Sequence, residues 1–253
     1  MSYTSFDFRV FPIFVYYIAL IIFTSIITLK ILSNYCKRKN PASFYLALVY
    51  ALLTIALITL MIGLLEAILT GYYKEIYRFS LPFAYSMVIF ADIILFKFTN
   101  FFTEKGHKFF VYLVIIGLII VFSLFLPWNY WGIPNEEEGP INIRMYTTSA
   151  LVLYSYAVYI ANISLCRKSK NEIDNKIGKT RLSLLIYSMI SMIFFFIMII
   201  GDTFMIIYLN HPGYSFFVYI AWIFAILFCI LSYSSLFTPE WLKKRIEKKH
   251  ETD

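Results

Sequence analysis

Seven apolar segments divide this chain, and each is long enough to cross a bilayer as a helix. A transmembrane helix needs about 20 mostly apolar residues, because the hydrocarbon core is about 30 Å thick and a helix rises about 1.5 Å per residue. The predicted spans are 11–33, 43–70, 79–99, 108–127, 144–166, 181–209 and 213–237. The sequence therefore predicts an all-α, polytopic membrane protein with one seven-helix domain over 1–237. A basic, amphipathic cytoplasmic tail over 238–253 is expected to follow it.

Positive charge is concentrated in every second gap between the predicted spans. Most of the 22 lysine and arginine residues lie after spans 1, 3, 5 and 7, and the largest internal group lies between 167 and 181. The other side holds only Arg9, Lys74, Arg78 and Arg144. Because short basic loops stay in the cytoplasm, we expect the N-terminus outside, the C-terminus inside and the protein in the plasma membrane. The net charge of +7 then reflects membrane orientation, and nucleic acid is not an expected partner.

The prolines are expected at helix ends. Pro12, Pro41 and Pro82 are predicted in first turns, where a missing N–H costs little. No proline is expected in the middle of a span. The broken helices that build the binding sites of many transporters are therefore not indicated.

An offset of 137 residues superimposes spans 1–3 on spans 5–7 without a gap. It pairs Tyr17 with Tyr154, and it brings Glu66 within one residue of Asp202. Both triplets would run in the same direction, with span 4 as a linker. From Phe109 to Leu126, span 4 carries one strongly polar side chain, Ser123, so we expect it to be able to face lipid on all sides. The sequence thus indicates a possible parallel 3+1+3 repeat.

Charged side chains inside the predicted spans are costly in hydrocarbon, and they normally face the bundle interior or form pairs. Asp92 and Asp202 lie deepest, about 10 Å from their predicted helix ends, while Glu66 and Lys30 are shallower. Polar residues spaced by three and four place these groups on single helix faces, which we expect to meet inside the bundle. We predict an intramembrane ion pair between Asp92 and Lys30.

The outer half of the predicted bundle contains a second group of polar and aromatic side chains. Its candidate ligand-binding residues are Glu66, Asp202, Arg144, Tyr73, Tyr77 and His211. Arg144 is the expected partner of either carboxylate. An outward pocket with an acidic floor and an aromatic rim would suit a small cationic or amphipathic ligand. The alternative is structural, with these polar groups serving only to hold helices together and the tyrosines forming an interfacial belt.

The residues that enzyme chemistry needs do not converge in this sequence. The predicted topology places His107 and His250 on one side of the membrane and His211 on the other, so they cannot share a metal. No HExxH, GxSxG or Asp-rich diphosphate motif occurs. We therefore predict no enzymatic activity, no metal site and no cofactor.

The predicted seven-span layout resembles the heptahelical opsin and receptor architecture, and also the sensor portions of seven-span histidine kinases. The resemblance is one of topology. Span 7, from 213 to 237, has no lysine for a retinal Schiff base, and 96–102 lacks the receptor Asp/Glu-Arg-Tyr motif. A 3+1+3 arrangement also resembles SWEET-type sugar transporters, although their paired proline-glutamine motif is absent.

Three functions remain open from the sequence. The first is a sensor or receptor-like protein that binds a ligand in the outer pocket and contacts a cytoplasmic protein partner through the loop 167–181 and the tail. The second is a small-molecule or ion transporter built from two three-helix repeats. The third is a non-catalytic scaffold that docks other membrane proteins.

Overall fold

The computed structural model describes residues 5–103, 106–126, 143–209 and 215–237. Within them a short 3-10 turn, Phe8–Val10, precedes seven α-helices. The helices are α1 (Phe11–Arg38), α2 (Pro41–Thr70), α3 (Glu75–Thr103), α4 (His107–Leu124), α5 (Ile143–Glu172), α6 (Lys176–Leu209) and α7 (Phe216–Leu236). The prediction of an all-helical chain with seven helices is confirmed for this part of the molecule. The tail 238–253 lies outside the described residues.

Six of the seven helices are long and apolar enough to cross a membrane, which is consistent with a helical membrane bundle. The exception is α4, which has 18 residues and is therefore about 27 Å long. Its apolar part, Phe109–Leu124, is shorter than the other candidate spans. The crossing by α4 stays a prediction.

Several helices continue well past the predicted spans. In particular, α5 continues to Glu172 and α6 already begins at Lys176, so most of the predicted loop 167–181 is helical and only 173–175 form the turn. The Ile177 N–H donates to Asn175 Oδ1 at 2.9 Å, which satisfies one free donor at the start of α6. Hydropathy identifies the part of a helix that suits lipid. Backbone hydrogen bonds can continue the same helix through polar residues beyond that part.

The expectation that Pro82 lies in a first turn is wrong. Helix α3 begins at Glu75, so Pro82 lies inside the helix. Because proline has no N–H, the carbonyl of Arg78 cannot receive its usual helical bond from this position. The Ser86 hydroxyl donates to the Pro82 carbonyl at 2.8 Å.

The chain separates into two compact units. Unit 1 comprises Met1–Phe98 and His107–Val158, and unit 2 comprises Thr99–Gly106 and Tyr159–Asp253. The single seven-helix domain over 1–237 stays a prediction.

In unit 1, α1 packs along α2, and only Lys39 and Asn40 separate the two helices. Lys39 takes the left-handed conformation that commonly ends a helix, with φ 52°. The Asn40 side chain then accepts from the Ala42 N–H at 3.1 Å to start α2. Further along, the Thr54 hydroxyl donates to Thr24 Oγ1 at 2.9 Å across the two helices.

Helix α4 is not free on all sides, which corrects the expectation that it can face lipid all round. Leu113, Ile120 and Leu124 are buried in unit 1. The Tyr154 hydroxyl of α5 donates to the Leu113 carbonyl at 3.1 Å, and a Cβ on Gly117 would lie 2.9 Å from that hydroxyl oxygen. One face of α4 therefore packs against protein, because a glycine without a side chain leaves room for the tyrosine.

In unit 2, α6 packs along α7. The Ser191 hydroxyl donates to the Phe224 carbonyl of α7 at 2.7 Å. On the other side of α6, the Phe196 ring stacks with Tyr159 of α5 at a centroid distance of 6.3 Å. In unit 2, a hydrogen bond from a serine thus joins α6 to α7, and aromatic packing joins α6 to α5.

Candidate functional site

Helices α2 and α3 approach closely where a glycine faces the first turns of α3. A Cβ built on Gly63 would lie 2.5 Å from Ser80 Oγ and 2.9 Å from Tyr77 Cα. Ser80 is fully buried, and its hydroxyl donates to the Tyr77 carbonyl at 2.6 Å. The two backbones can meet at this distance because glycine has no side chain.

One helical turn after Gly63, the Glu66 carboxylate reaches the N-terminus of α3. The Tyr77 N–H donates to Glu66 Oε2 at 2.9 Å. Tyr77 is the third residue of α3, and the first N–H groups of a helix have no acceptor within it. A carboxylate at this place also lies at the positive end of the helix dipole. Glu66 is thus a cap that a neighbouring helix supplies.

Aromatic rings pack beside this cap in the connection between α2 and α3. The ring centroids of Tyr73 and Tyr77 are 4.4 Å apart, and Phe6 packs edge-on to Tyr73 at 5.8 Å. The Phe6 N–H donates to the Gly71 carbonyl at 2.8 Å, which fixes the N-terminal segment here. Burial, followed by the effects of Tyr77 and Asp7, raises the pKa of Tyr73 above its ordinary value. Its hydroxyl therefore stays neutral at physiological pH.

Unit 2 contains a similar arrangement between α6 and α7. The Ser215 N–H, immediately before α7, donates to Asp202 Oδ1 at 2.6 Å. A Cβ on Gly201 would lie 3.1 Å from the Phe217 ring. In each unit, a glycine packs on the start of the following helix and a nearby carboxylate accepts from its backbone. A 3+1+3 repeat would produce such a similarity; the repeat itself stays a prediction.

The structure brings three of the six predicted ligand-binding residues together in unit 1. Glu66, Tyr73 and Tyr77 form one half-buried cluster. Asp202 belongs to unit 2. His211 and the side chain of Arg144 lie outside the described residues. The predicted pairing of Arg144 with a carboxylate stays a prediction, and the donors found for both carboxylates are backbone N–H groups.

A third carboxylate, which is buried, lies further along α3. Asp92 is 2% exposed, and the Ser155 hydroxyl of α5 donates to Asp92 Oδ2 at 2.6 Å. Tyr154 also lies near enough to Asp92 for an electrostatic interaction. Lys30, the predicted partner, has an exposed side chain. The ion pair between Asp92 and Lys30 stays a prediction, while the hydroxyl of Ser155 is an observed donor to the carboxylate.

Sequence reasoning missed the donors of all three carboxylates. Two donors are backbone N–H groups, which every residue type other than proline carries, so composition gives no signal for them. Ser155 is a polar residue of the predicted span 144–166, but nothing in the sequence links it to α3. A glycine within one turn of an acidic residue near the end of a span is the signal that could have identified both caps.

The described residues hold no group of three or more histidine, cysteine or acidic side chains that could bind a metal ion. The cysteines Cys36, Cys166 and Cys229 form no disulfide bond, and the last two are buried. The chemistry available in the described clusters is therefore that of carboxylates, hydroxyls and aromatic rings. Such groups bind cations and polar solutes.

Comparison of the chain with protein-family models, with curated proteins and with solved structures finds no match.

Removal of the Glu66 cap is expected to destabilise unit 1. Glu66→Ala should lower the free energy of unfolding by about 1 kcal/mol, the usual cost of losing a helix cap. Glu66→Gln keeps an acceptor oxygen and should cost about half as much, since only the charge is lost. The measurement is denaturant unfolding of the detergent-purified protein. Asp174→Ala, which removes an exposed carboxylate in the turn before α6, is the control; a loss as large as that of Glu66→Ala would contradict the cap.

Proposed function

We propose that the chain is a sensor or receptor-like protein of the plasma membrane that binds a small cationic or amphipathic ligand at an outward-facing cluster. The cluster consists of Glu66, Tyr73 and Tyr77. In this proposal the N-terminus and the connection between α2 and α3 face outside, and the basic segment 167–181 faces the cytoplasm, as the distribution of lysine and arginine indicates.

The observation that carries the proposal is the position of the Glu66 carboxylate beside packed tyrosines. One of its oxygens accepts from Tyr77 N–H at 2.9 Å, which fixes the side chain in place. The Tyr73 and Tyr77 rings pack against each other beside it, tilted by 47° at a centroid distance of 4.4 Å. A fixed negative charge next to tyrosine rings attracts an organic cation by charge and by cation–π interaction, more strongly where water is partly excluded.

The basic segment 167–181 supports a cytoplasmic protein partner. Because α5 and α6 both run into this segment, its lysines and arginines are carried on helix ends. Arg167, Lys168 and Lys176 are exposed there. Positive side chains on rigid helix ends form an ordered surface that is complementary to an acidic protein surface. Ligand binding at the α2–α3 connection would shift α3 or its neighbouring helices. The cytoplasmic partner would detect that shift.

The proposal is tested by titrating tetramethylammonium and phenethylammonium into the detergent-purified protein at constant ionic strength. At least one probe should raise the melting temperature in a saturable way. Glu66→Gln should weaken that binding at least tenfold, because it removes the charge and keeps the cap. Asp174→Asn removes an exposed carboxylate elsewhere and should bind as the unchanged protein does. Equal binding by Glu66→Gln, or no response to either cation, contradicts the proposal.

The Asp92–Ser155 contact favours transport as the second candidate function. Intramembrane carboxylates commonly mark ion and proton pathways, and Asp92 is buried well inside α3. A transporter would move the same cations across proteoliposomes, whereas a sensor would bind them without flux. Flux that Asp92→Asn abolishes would therefore favour the transporter over the sensor.

A further inference from the structure

Two buried asparagines of unit 2 have no hydrogen-bond partner for their side chains within the part of the chain that the structure describes. Asn162 on α5 is fully buried and Asn100 on the last turn of α3 is 3% exposed. For each, both the amide nitrogen and the amide oxygen lack a partner among the described residues. Two complete amide groups are thus buried with all their donors and acceptors unused.

This pattern needs an explanation, because buried polar atoms are nearly always hydrogen-bonded. In a membrane helix the surrounding hydrocarbon supplies no partner either. Several other buried polar residues of this part of the chain form hydrogen bonds within their own helix. The Thr103 hydroxyl donates to the Thr99 carbonyl at 3.1 Å, and the Ser188 hydroxyl donates to the Leu185 carbonyl at 2.7 Å. Among the described residues, the asparagines differ from these hydroxyls, as do Ser169 and Ser215.

The neighbours of Asn162 along α5 form a polar, uncharged face. Cys166 and Ser169 follow at helical spacings of four and seven, and both are buried. The Ser169 hydroxyl also has no hydrogen-bond partner among the residues that the structure describes. Together the amides and the hydroxyl offer both donors and acceptors but no charge. A matching occupant is therefore neutral and both donates and accepts hydrogen bonds.

We propose that the C-terminal end of α3 and the C-terminal half of α5, both in unit 2, hold a buried site for small neutral hydrogen-bonding molecules, with Asn100 and Asn162 as its main contacts. The shared chemistry fits a cluster of water molecules, which buried polar groups commonly bind, and it equally fits a neutral polar solute. The site lies on different residues from the Glu66 cluster and does not depend on the ligand proposed there.

A double-mutant cycle tests the site. Asn100→Leu and Asn162→Leu, and the double variant, are compared by their apparent melting temperatures in detergent. The asparagines do not hydrogen-bond each other, so a hydrogen-bonded coupling between them requires a shared occupant. Each single variant should melt several degrees lower, and the double variant should lose clearly less than the two losses combined. Ser188→Ala, whose hydroxyl bonds within its own helix, is the control and should change little.

Two results would overturn the proposal. If the site is empty, leucine removes an unsatisfied amide and each single variant melts higher. If the asparagines contact separate occupants, their effects are additive. The alanine variants of both residues repeat the cycle where leucine prevents folding. Native mass spectrometry then separates the two sources: a bound mass that Asn162→Leu loses identifies a solute, and coupling without such a mass identifies water.

Discussion

Valine in place of Gly63 is expected to destabilise unit 1 more than either substitution of Glu66. The added Cβ would lie 2.9 Å from Tyr77 Cα as well as 2.5 Å from Ser80 Oγ. A side chain can rotate away from such an overlap, but a Cα cannot, so α2 and α3 must separate. Overpacking a tight interface costs about 1–3 kcal/mol, and more when backbone has to move. We expect a loss of about 3 kcal/mol in denaturant unfolding.

Gly201→Val is the matched control in unit 2. The nearest atoms to a Cβ there belong to the Phe217 ring, at 3.1 Å and 3.2 Å, and a ring can turn aside. Gly201→Val should therefore cost clearly less than Gly63→Val, while Gly63→Ala should fall between the two. Equal losses for Gly63→Val and Gly201→Val would show that the backbone contact at Gly63 does not limit the approach of α2 and α3.

The same substitution also tests how the candidate site is built. Glu66 lies one turn beyond Gly63 and reaches the Tyr77 N–H only because the helices are close. A separation of α2 and α3 should therefore also disrupt the cap and the tyrosine packing.

The helices could be predicted from the sequence because burial in lipid requires long apolar segments. The ends of the helices could not be predicted in this way, because polar residues such as Lys37 and Glu172 extend a helix as well as apolar residues do. The start of α3 was missed for a related reason. Pro82 reads as a first-turn residue, yet the helix begins seven residues before it.

The candidate site could be predicted only in part. The cost of charge in hydrocarbon singled out Glu66, Asp92 and Asp202, and each one accepts a hydrogen bond in the structure. The expected donors were the side chains of Arg144 and Lys30, because complementary charge is what a sequence displays. The donors found are backbone N–H groups and the hydroxyl of Ser155, whose positions depend on how the helices pack.

The crossing by α4 decides on which side of the membrane the second half of the chain lies. If α4 crosses, the connection between α2 and α3 and the turn between α5 and α6 lie on opposite sides. If its 18 residues do not cross, α5 starts from the other side and both connections face the same way. The proposed function places the Glu66 cluster outside the cell and the basic segment 167–181 in the cytoplasm. It therefore requires the two connections to lie on opposite sides of the membrane.

Cysteine labelling in intact cells measures this directly. Tyr72→Cys and Asp174→Cys, both at exposed positions, are placed singly in a variant that lacks the three native cysteines and treated with a membrane-impermeant maleimide. We expect Tyr72→Cys to react in intact cells and Asp174→Cys to react only after permeabilisation. Labelling of both positions in intact cells, or of neither, would contradict the seven-span topology and the receptor-like function built on it.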